Sequence, residues 1–197
     1  RIRACRICRD TPKAAPLPHE PRPVLRARPT ARIAICGQAP GTRVHASGTP
    51  FTDPSGDRLR DWMDVTSDEF YDQDRVAIVP MGFCFPGLDA KGGDRPPRSE
   101  CAPAWRAPVF AHLGHLQLVL LVGLYAQRWH LGVRCGRTLT ETVTRWRECT
   151  AEPAIPVYLP LPHPSWRNNA WIKRNPWFEG ELLPFLRAVV RQALDGN

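Results

Sequence analysis

The sequence predicts a three-layer α/β/α fold with a central, mainly parallel, four-stranded sheet. Two observations carry this expectation. Four short apolar runs alternate with helix-like stretches, an order that implies a parallel sheet with helices on both faces. The runs are continuously apolar rather than alternating, as expected of strands buried on both sides. A chain of 197 residues is long enough for one well-buried core and short for two. Residues 1–197 are therefore expected to form one domain, with residues 1–30 as an N-terminal arm that carries a cysteine pair.

The elements follow in order. Cys5-Arg6-Ile7-Cys8 reads as a short helical turn, and residues 11–30 as a Pro- and Arg-rich connector without periodicity. The apolar run 32–36 ends at Gly37 and reads as the first strand. A helix is expected from Ser55, because Leu59, Trp62, Met63 and Val65 recur at helical spacing behind a Ser-Gly-Asp start. Residues 76–80 form the second run, followed by a long Gly/Pro loop over 85–97. Helices are expected over 100–113, 125–131, 138–149 and 176–194, and the remaining strands over 118–123 and 156–161. In such folds ligands bind beyond the carboxyl ends of the strands, where loops 37–53, 80–97 and 162–169 fall.

Composition narrows the function classes. Lys and Arg total 27 against 19 for Asp and Glu, a net charge of +8 carried mainly by Arg. That balance shifts the expectation modestly toward a polyanionic partner, and guanidinium groups suit bidentate phosphate contacts. The chain has no apolar run of membrane-spanning length and no apolar signal core at its start, so no membrane partner is expected. Seven cysteines without a secretion signal argue against a disulfide framework. A cytoplasmic monomer is the expectation.

Two loops carry chemistry. Gly37-Gln38-Ala39-Pro40-Gly41 directly follows a strand, and its glycines permit close backbone approach to a ligand. It lacks the spacing of a P-loop or a dinucleotide fingerprint. Ser47-Gly48-Thr49-Pro50-Phe51-Thr52-Asp53-Pro54-Ser55-Gly56 follows, with an aromatic and an acid at fixed offsets. Read from the residues alone, Phe51 suits core packing and Asp53 a helix-cap acid. The second loop, Leu161-Pro162-His163-Pro164-Ser165-Trp166-Arg167-Asn168, holds a histidine rigidly between prolines. The stretch 91–98 reads as basic and mobile, either lining a groove for a polyanion or acting as a solvated connector.

Cys5 and Cys8 have two residues between them, and Cys84 and Cys101 sixteen. Four buried thiols, a zinc site and an iron–sulfur cluster all remain open on spacing, although the wide second pair departs from paired zinc knuckles. Cys36, Cys135 and Cys149 read as spectators.

The first loop with its Phe-Thr-Asp continuation and the late His163-Pro164-Ser165 resemble family 4 and family 5 uracil-DNA glycosylases. The resemblance extends over most of the chain in element order. It implies a monofunctional hydrolase that flips uracil, or a related deaminated base, out of DNA and cleaves its N-glycosidic bond in base excision repair. It implies that Phe51 stacks on the base, with Gly37 and Ala39 lining its pocket. It assigns His163 to uracil O2 and Asp53 to the attacking water or the sugar cation. Gln38 stands where family 4 has Glu. It implies DNA contacts from Ser165, Arg167, Lys173 and Arg174, and a structural [4Fe-4S] cluster on Cys5, Cys8, Cys84 and Cys101.

The chain departs from the family in two places. Ala39 replaces a familiar acid, and Pro80 stands where family 4 carries the Asn that reads uracil. Base recognition is then expected from backbone groups near Gly82 and Phe83, or from Asn168. Hypoxanthine, xanthine and mismatched thymine stay open as substrates. A non-catalytic lesion binder of the same fold is the competing reading, and an α/β enzyme acting on a small nucleotide or phosphate ester is a third.

Overall fold

A computed structural model describes residues 1–151 and 155–196. Four strands form one sheet: β1 (Ile33–Cys36), β2 (Val76–Ile78), β3 (Leu118–Val122) and β4 (Val157–Leu161). Their spatial order is β2-β1-β3-β4 and every pairing is parallel, with Ile33 opposite Val76 and Leu118, and Leu118 opposite Val157. The expected three-layer α/β/α architecture is present. All carboxyl ends lie on one edge of the sheet, which is what brings the loaded loops together.

The pleat divides the core in two. Ile33 and Ile35 of β1 with Leu118, Leu120 and Val122 of β3 face one cluster, and Ala34, Cys36, Val119 and Leu121 face the other. The first cluster is covered by α3 (Pro54–Met63), α7 (Leu139–Thr144), α8 (Trp146–Thr150) and α10 (Leu183–Asp195). The second is covered by α5 (Cys101–Phe110) and α6 (Leu124–Leu131). Its sheet face carries small side chains, Ala34 and Ala77, which let these helices approach. In α10, Leu183, Leu186, Val190 and Ala193 recur at helical spacing and are buried.

Further short helices are α1 (Ile7–Asp10), α2 (Thr42–Ser47), α4 (Ser67–Tyr71) and α9 (Asn169–Arg174). The helix expected over 138–149 is broken at Arg145. Its first half is rich in β-branched residues, and Thr142 Oγ1 donates back to Thr138 O at 3.0 Å, which weakens the helix. The break aims Trp146 at Phe185, ring centroids 4.8 Å apart. The last helix also starts differently. Residues Phe178–Leu182 form a turn of π-helix before α10, where Pro184 has no N–H for the usual bond to Gly180.

One buried cation ties the layers to the site edge. Arg106 of α5 is 3% exposed. Its Nη1 donates to Val79 O at 2.8 Å and to Pro80 O at 2.9 Å, just beyond β2. Its Nε donates to His130 Nε2 of α6 at 3.1 Å. Burial, and then the adjacent guanidinium, hold the His130 imidazole down at about 3, so it stays neutral and accepts that bond. Among the described residues no carboxylate pairs with Arg106; carbonyl and imidazole acceptors serve instead. Among the described residues no helix is long and apolar enough to cross a membrane.

Arg106→Met keeps the stem but strands two buried carbonyl oxygens. The expected loss is about 2–5 kcal/mol of folding stability, read as a lower urea midpoint. An unchanged midpoint would show that Arg106 does not hold this corner.

Candidate active site

A cleft of about 270 Å³ opens at the carboxyl edge of the sheet. Residues 37–41 after β1, Pro80 after β2 and His163 after β4 line it, with Phe51, Asp53 and Asp94. Six of the residues expected to act on the base or the reaction therefore meet in one place: Gly37, Gln38, Ala39, Phe51, Asp53 and His163.

The first loop is held by an extension of sheet pairing. Met81 N–H donates to Gly37 O at 2.9 Å and Gly82 N–H to Gln38 O at 2.8 Å. The Gln38 side chain reaches toward Gly123, where a Cβ would meet its Nε2 at 3.2 Å and where φ is +85°. Gly123 thus combines a left-handed backbone with a close approach, and only glycine serves both.

Phe51 is held in a conformation that non-glycine residues avoid, with φ of 57°. Such a conformation costs of order 1–3 kcal/mol and persists only where its surroundings impose it. Here the Tyr71 hydroxyl donates to Phe51 O at 3.0 Å and Arg60 Nη1 donates at 3.3 Å. Gly56 leaves room for that carbonyl, since a Cβ there would sit 1.9 Å from it. The ring packs edge-on against Phe70 at 5.9 Å and lies 3.6 Å from where a Gly37 side chain would begin. Phe51 is therefore both a core-edge residue and a wall of the cleft.

Asp53 likewise fits both of its readings. It caps α3: Ser55 Oγ donates to its Oδ1 at 2.6 Å and Gly56 N–H donates to the same oxygen at 3.2 Å. His163 is fixed from two sides. Ser165 N–H donates to His163 Nδ1 at 3.2 Å, and Asn168 Nδ2 donates to His163 O at 2.6 Å. An Nδ1 that accepts leaves the proton of a neutral imidazole on Nε2. Burial lowers the His163 pKa, Asp53 pulls it partly back up, and Arg167 lowers it further. The group is a neutral Nε2–H donor in the cleft.

Other expected residues lie elsewhere. Gly82 and Phe83 do not line the cleft. Phe83 N–H donates to Cys101 Sγ at 3.3 Å and Phe83 O accepts from Val24 N–H at 2.7 Å, so with the Gly82 amide bound to Gln38 these groups are already used. Asn168 supports the His163 backbone rather than the cleft wall. Arg58 of α3 donates to Ser165 O at 3.3 Å and to Asn169 Oδ1 at 2.7 Å, bracing the late loop. Trp166 at its tip is 72% exposed, with the Arg167 guanidinium 5.7 Å from its ring centre. Lys173 and Arg174 are exposed on α9.

The loop over 85–97 is a small hairpin rather than a slack connector. Leu88 and Asp94 form an antiparallel bridge, and Asp89 N–H donates to Gly93 O at 2.8 Å. Asp89 Oδ1 accepts from the Lys91 and Gly93 amides at 2.8 and 2.9 Å. Asp94 thereby reaches the cleft, a cleft residue that the sequence reading missed. The Gly-rich turn between Leu88 and Asp94 was the available signal.

Cys5, Cys8, Cys84 and Cys101 line one pocket, together with Ile7, Leu17, Phe83 and Trp105. Two of the sulfurs accept an N–H: Trp105 Nε1 donates to Cys5 Sγ at 3.2 Å and Phe83 N–H to Cys101 Sγ at 3.3 Å. Burial pushes the Cys84 thiol up to about 11 and the Cys101 thiol up to about 12, and raises that of Cys8. Among the described residues no three His, Cys, Asp or Glu side chains close on a single point as ligands of one ion. Lys13 N–H donates to Glu100 Oε1 at 2.7 Å and Arg98 Nη1 to Ala15 O at 2.7 Å, which pins the arm beside this pocket.

A parallel sheet with a His-bearing late loop and a Gly-rich early loop at its carboxyl edge defines an α/β protein with a ligand cleft at that edge. Residues 26–187 match the Uracil DNA glycosylase superfamily, and the chain belongs to it. Membership gives a glycosylase-type function on DNA. The match begins at residue 26, so Cys5 and Cys8 precede it.

NMR titration of His163 tests the electrostatics. Its midpoint is expected below the ordinary value of 6.5, with Nε2 protonated above that midpoint. Asp53→Asn should move the midpoint further down and Arg167→Ala should move it up. The opposite signs would mean that these charges do not act on the ring.

Proposed function

We propose that the protein removes uracil, or a related deaminated base, from DNA by hydrolysing its N-glycosidic bond. The observation that carries this reading is the neutral His163 Nε2–H donor sharing a cleft with the Phe51 ring and the Asp53 carboxylate. Cleavage leaves negative charge on the departing base and positive charge on the sugar. A fixed donor at a base oxygen stabilises the first without a proton having to be moved. An anion at Asp53, with one oxygen committed to its cap and the other left over, favours the second. Stacking on Phe51 replaces what the base loses on leaving the helix, about 1–3 kcal/mol per base.

Among the described residues no lysine lines the cleft, which favours hydrolysis by water over a Schiff-base route. Trp166 and Arg167 project beside His163 and suit the gap left by an extruded base. Ser165, Lys173 and Arg174 are assigned to backbone phosphates, with the salt-dependent affinity such contacts bring. With Pro80 at the β2 end and the Gly82 and Phe83 backbone groups engaged, selection between uracil and other deaminated bases falls to the first loop and its Gln38.

The four-cysteine pocket is assigned to a structural [4Fe-4S] cluster. Its donor chemistry supports this: four cysteines share one pocket wall, and the Cys5 and Cys101 sulfurs accept N–H groups that favour a thiolate. Four thiolates on four different irons surround a volume rather than a point, in keeping with sulfurs spread around a pocket wall. Once bound, the cluster supplies a cross-link between the arm and the loop before α5.

Incubation with uracil-containing single- and double-stranded oligonucleotides, followed by alkaline cleavage, measures the activity. Wild type is expected to yield strand breaks, and His163→Ala to lose about 10²–10³ in rate. Tight binding without product would favour a lesion-binding protein instead. Iron and acid-labile sulfide analysis tests the cluster. Purified protein should be brown and carry both, and Cys84→Ala should lose both and melt at lower temperature. Colourless, iron-free protein from anaerobic preparation would remove the assignment.

A further inference from the structure

We propose that Asp94, carried by the hairpin between β2 and α5, is the residue that accepts the proton from the attacking water. The inference rests on the glycosylase reading and deepens it. The cleft contains two carboxylates, Asp53 and Asp94. They differ in what already holds them. Asp53 Oδ1 receives both the Ser55 hydroxyl and the Gly56 amide as the cap of α3. Asp94 receives no side-chain hydrogen bond and no ion pair among the described residues. Asp53 thus keeps one oxygen, assigned to the sugar cation, while Asp94, without partners, keeps all its lone pairs for a proton.

The position of Asp94 is built rather than incidental. Its backbone bridges Leu88, the Arg95 amide donates to Gly87 O at 2.9 Å, and the hairpin tip is closed by Asp89. Its Oδ2 stands 3.1 Å from where a side chain on Gly41 would begin, so the carboxylate rests against the first loop because that residue is glycine. Charged groups face it from every side of the cleft mouth. Asp53 comes from the start of α3 and Arg167 from the late loop, His163 and Arg43 line the same cleft, and Asp89 and Arg95 lie on its own hairpin. Asp94 is exposed at the cleft mouth, and the partial desolvation of its carboxylate there acts to raise its pKa, with Arg167 opposing and Asp53 adding to the rise. A carboxylate above its ordinary range is the stronger base near neutral pH.

The step balances without any further reactant. Water oxygen forms a bond to sugar C1′ and the C1′–N bond breaks, its electron pair leaving with the base. The water proton goes to Asp94, and the base anion is held by His163 Nε2–H until it takes a proton from solvent. Asp53 faces the sugar cation throughout.

Single-turnover excision with a uracil-containing oligonucleotide separates this from a merely structural role. Asp94→Asn is expected to slow excision about 10²-fold at neutral pH, with DNA affinity, read by fluorescence anisotropy, equal to wild type or tighter. The wild-type rate should rise with pH through a midpoint above the ordinary carboxylate range, and Asp94→Asn should lack that rise. Gly41→Ala should also slow excision by displacing the carboxylate, while melting as wild type does. An active wild type beside an equally active Asp94→Asn ends the inference alone. So does a rate lost only in proportion to lost DNA affinity. A wild type that yields no product from uracil, hypoxanthine, xanthine or mismatched thymine ends the glycosylase reading, and this inference with it.

Discussion

The backbone pairing between residues 33–38 and residues 76–82 is the constraint on which the cleft depends. It begins as the parallel β1–β2 ladder and continues past both strands, as the Met81 and Gly82 amides reach the Gly37 and Gln38 carbonyls. A loop with two glycines and a proline would otherwise have wide freedom, and ordering it would cost on the order of 1–2 kcal/mol per residue. The ladder meets that cost during folding, before any ligand arrives. The same pairing settles the fate of Gly82, whose amide serves structure and is no longer free to read a base.

Around this frame, the active groups are set by second partners rather than by their own preferences. Phe51 keeps a left-handed backbone because Tyr71 and Arg60 hold its carbonyl and Gly56 makes room for it. His163 keeps its proton on Nε2 because the Ser165 amide occupies Nδ1. Burial and the nearby charges then decide its protonation, with burial the larger influence. The hydrogen bonds that fix these groups come from within about twenty residues along the chain, Tyr71 of α4 being the most distant donor to Phe51. The late loop is the exception, for it is braced from across the cleft by Arg58 of α3.

Much of the architecture was legible in the sequence because burial on both faces leaves a strong mark. Continuous runs such as 118–122 admit few readings other than a central strand. The early and late loops were legible as loops because glycine and proline punctuate strand ends. What escaped was set by contacts distant in sequence or by local side-chain competition. Asp94 meets Gly41 from 53 positions further along the chain, a relation no spacing reveals. Gly82 and Phe83 looked free, since nothing nearby in sequence announces that Gln38, Val24 and Cys101 will claim them. The break at Arg145 follows from threonines that bond backward to the main chain, a tendency that apolar periodicity conceals. Helix α4 had a readable sign in Thr66 and Glu69, which form a reciprocal capping box.

The N-terminal arm has a consequence beyond the cysteines it carries. β2 is an outer strand of the sheet, and its free side would present unpaired amides and carbonyls. Arg26 covers them: its amide donates to Ile78 O at 3.0 Å and its carbonyl accepts from Ile78 N–H at 2.6 Å, and Val24 continues the cover at Phe83. The arm therefore acts as a shield against strand-to-strand self-association. Whatever loosens the arm would expose a short sticky edge, and the first symptom would be lost solubility rather than a lost cleft.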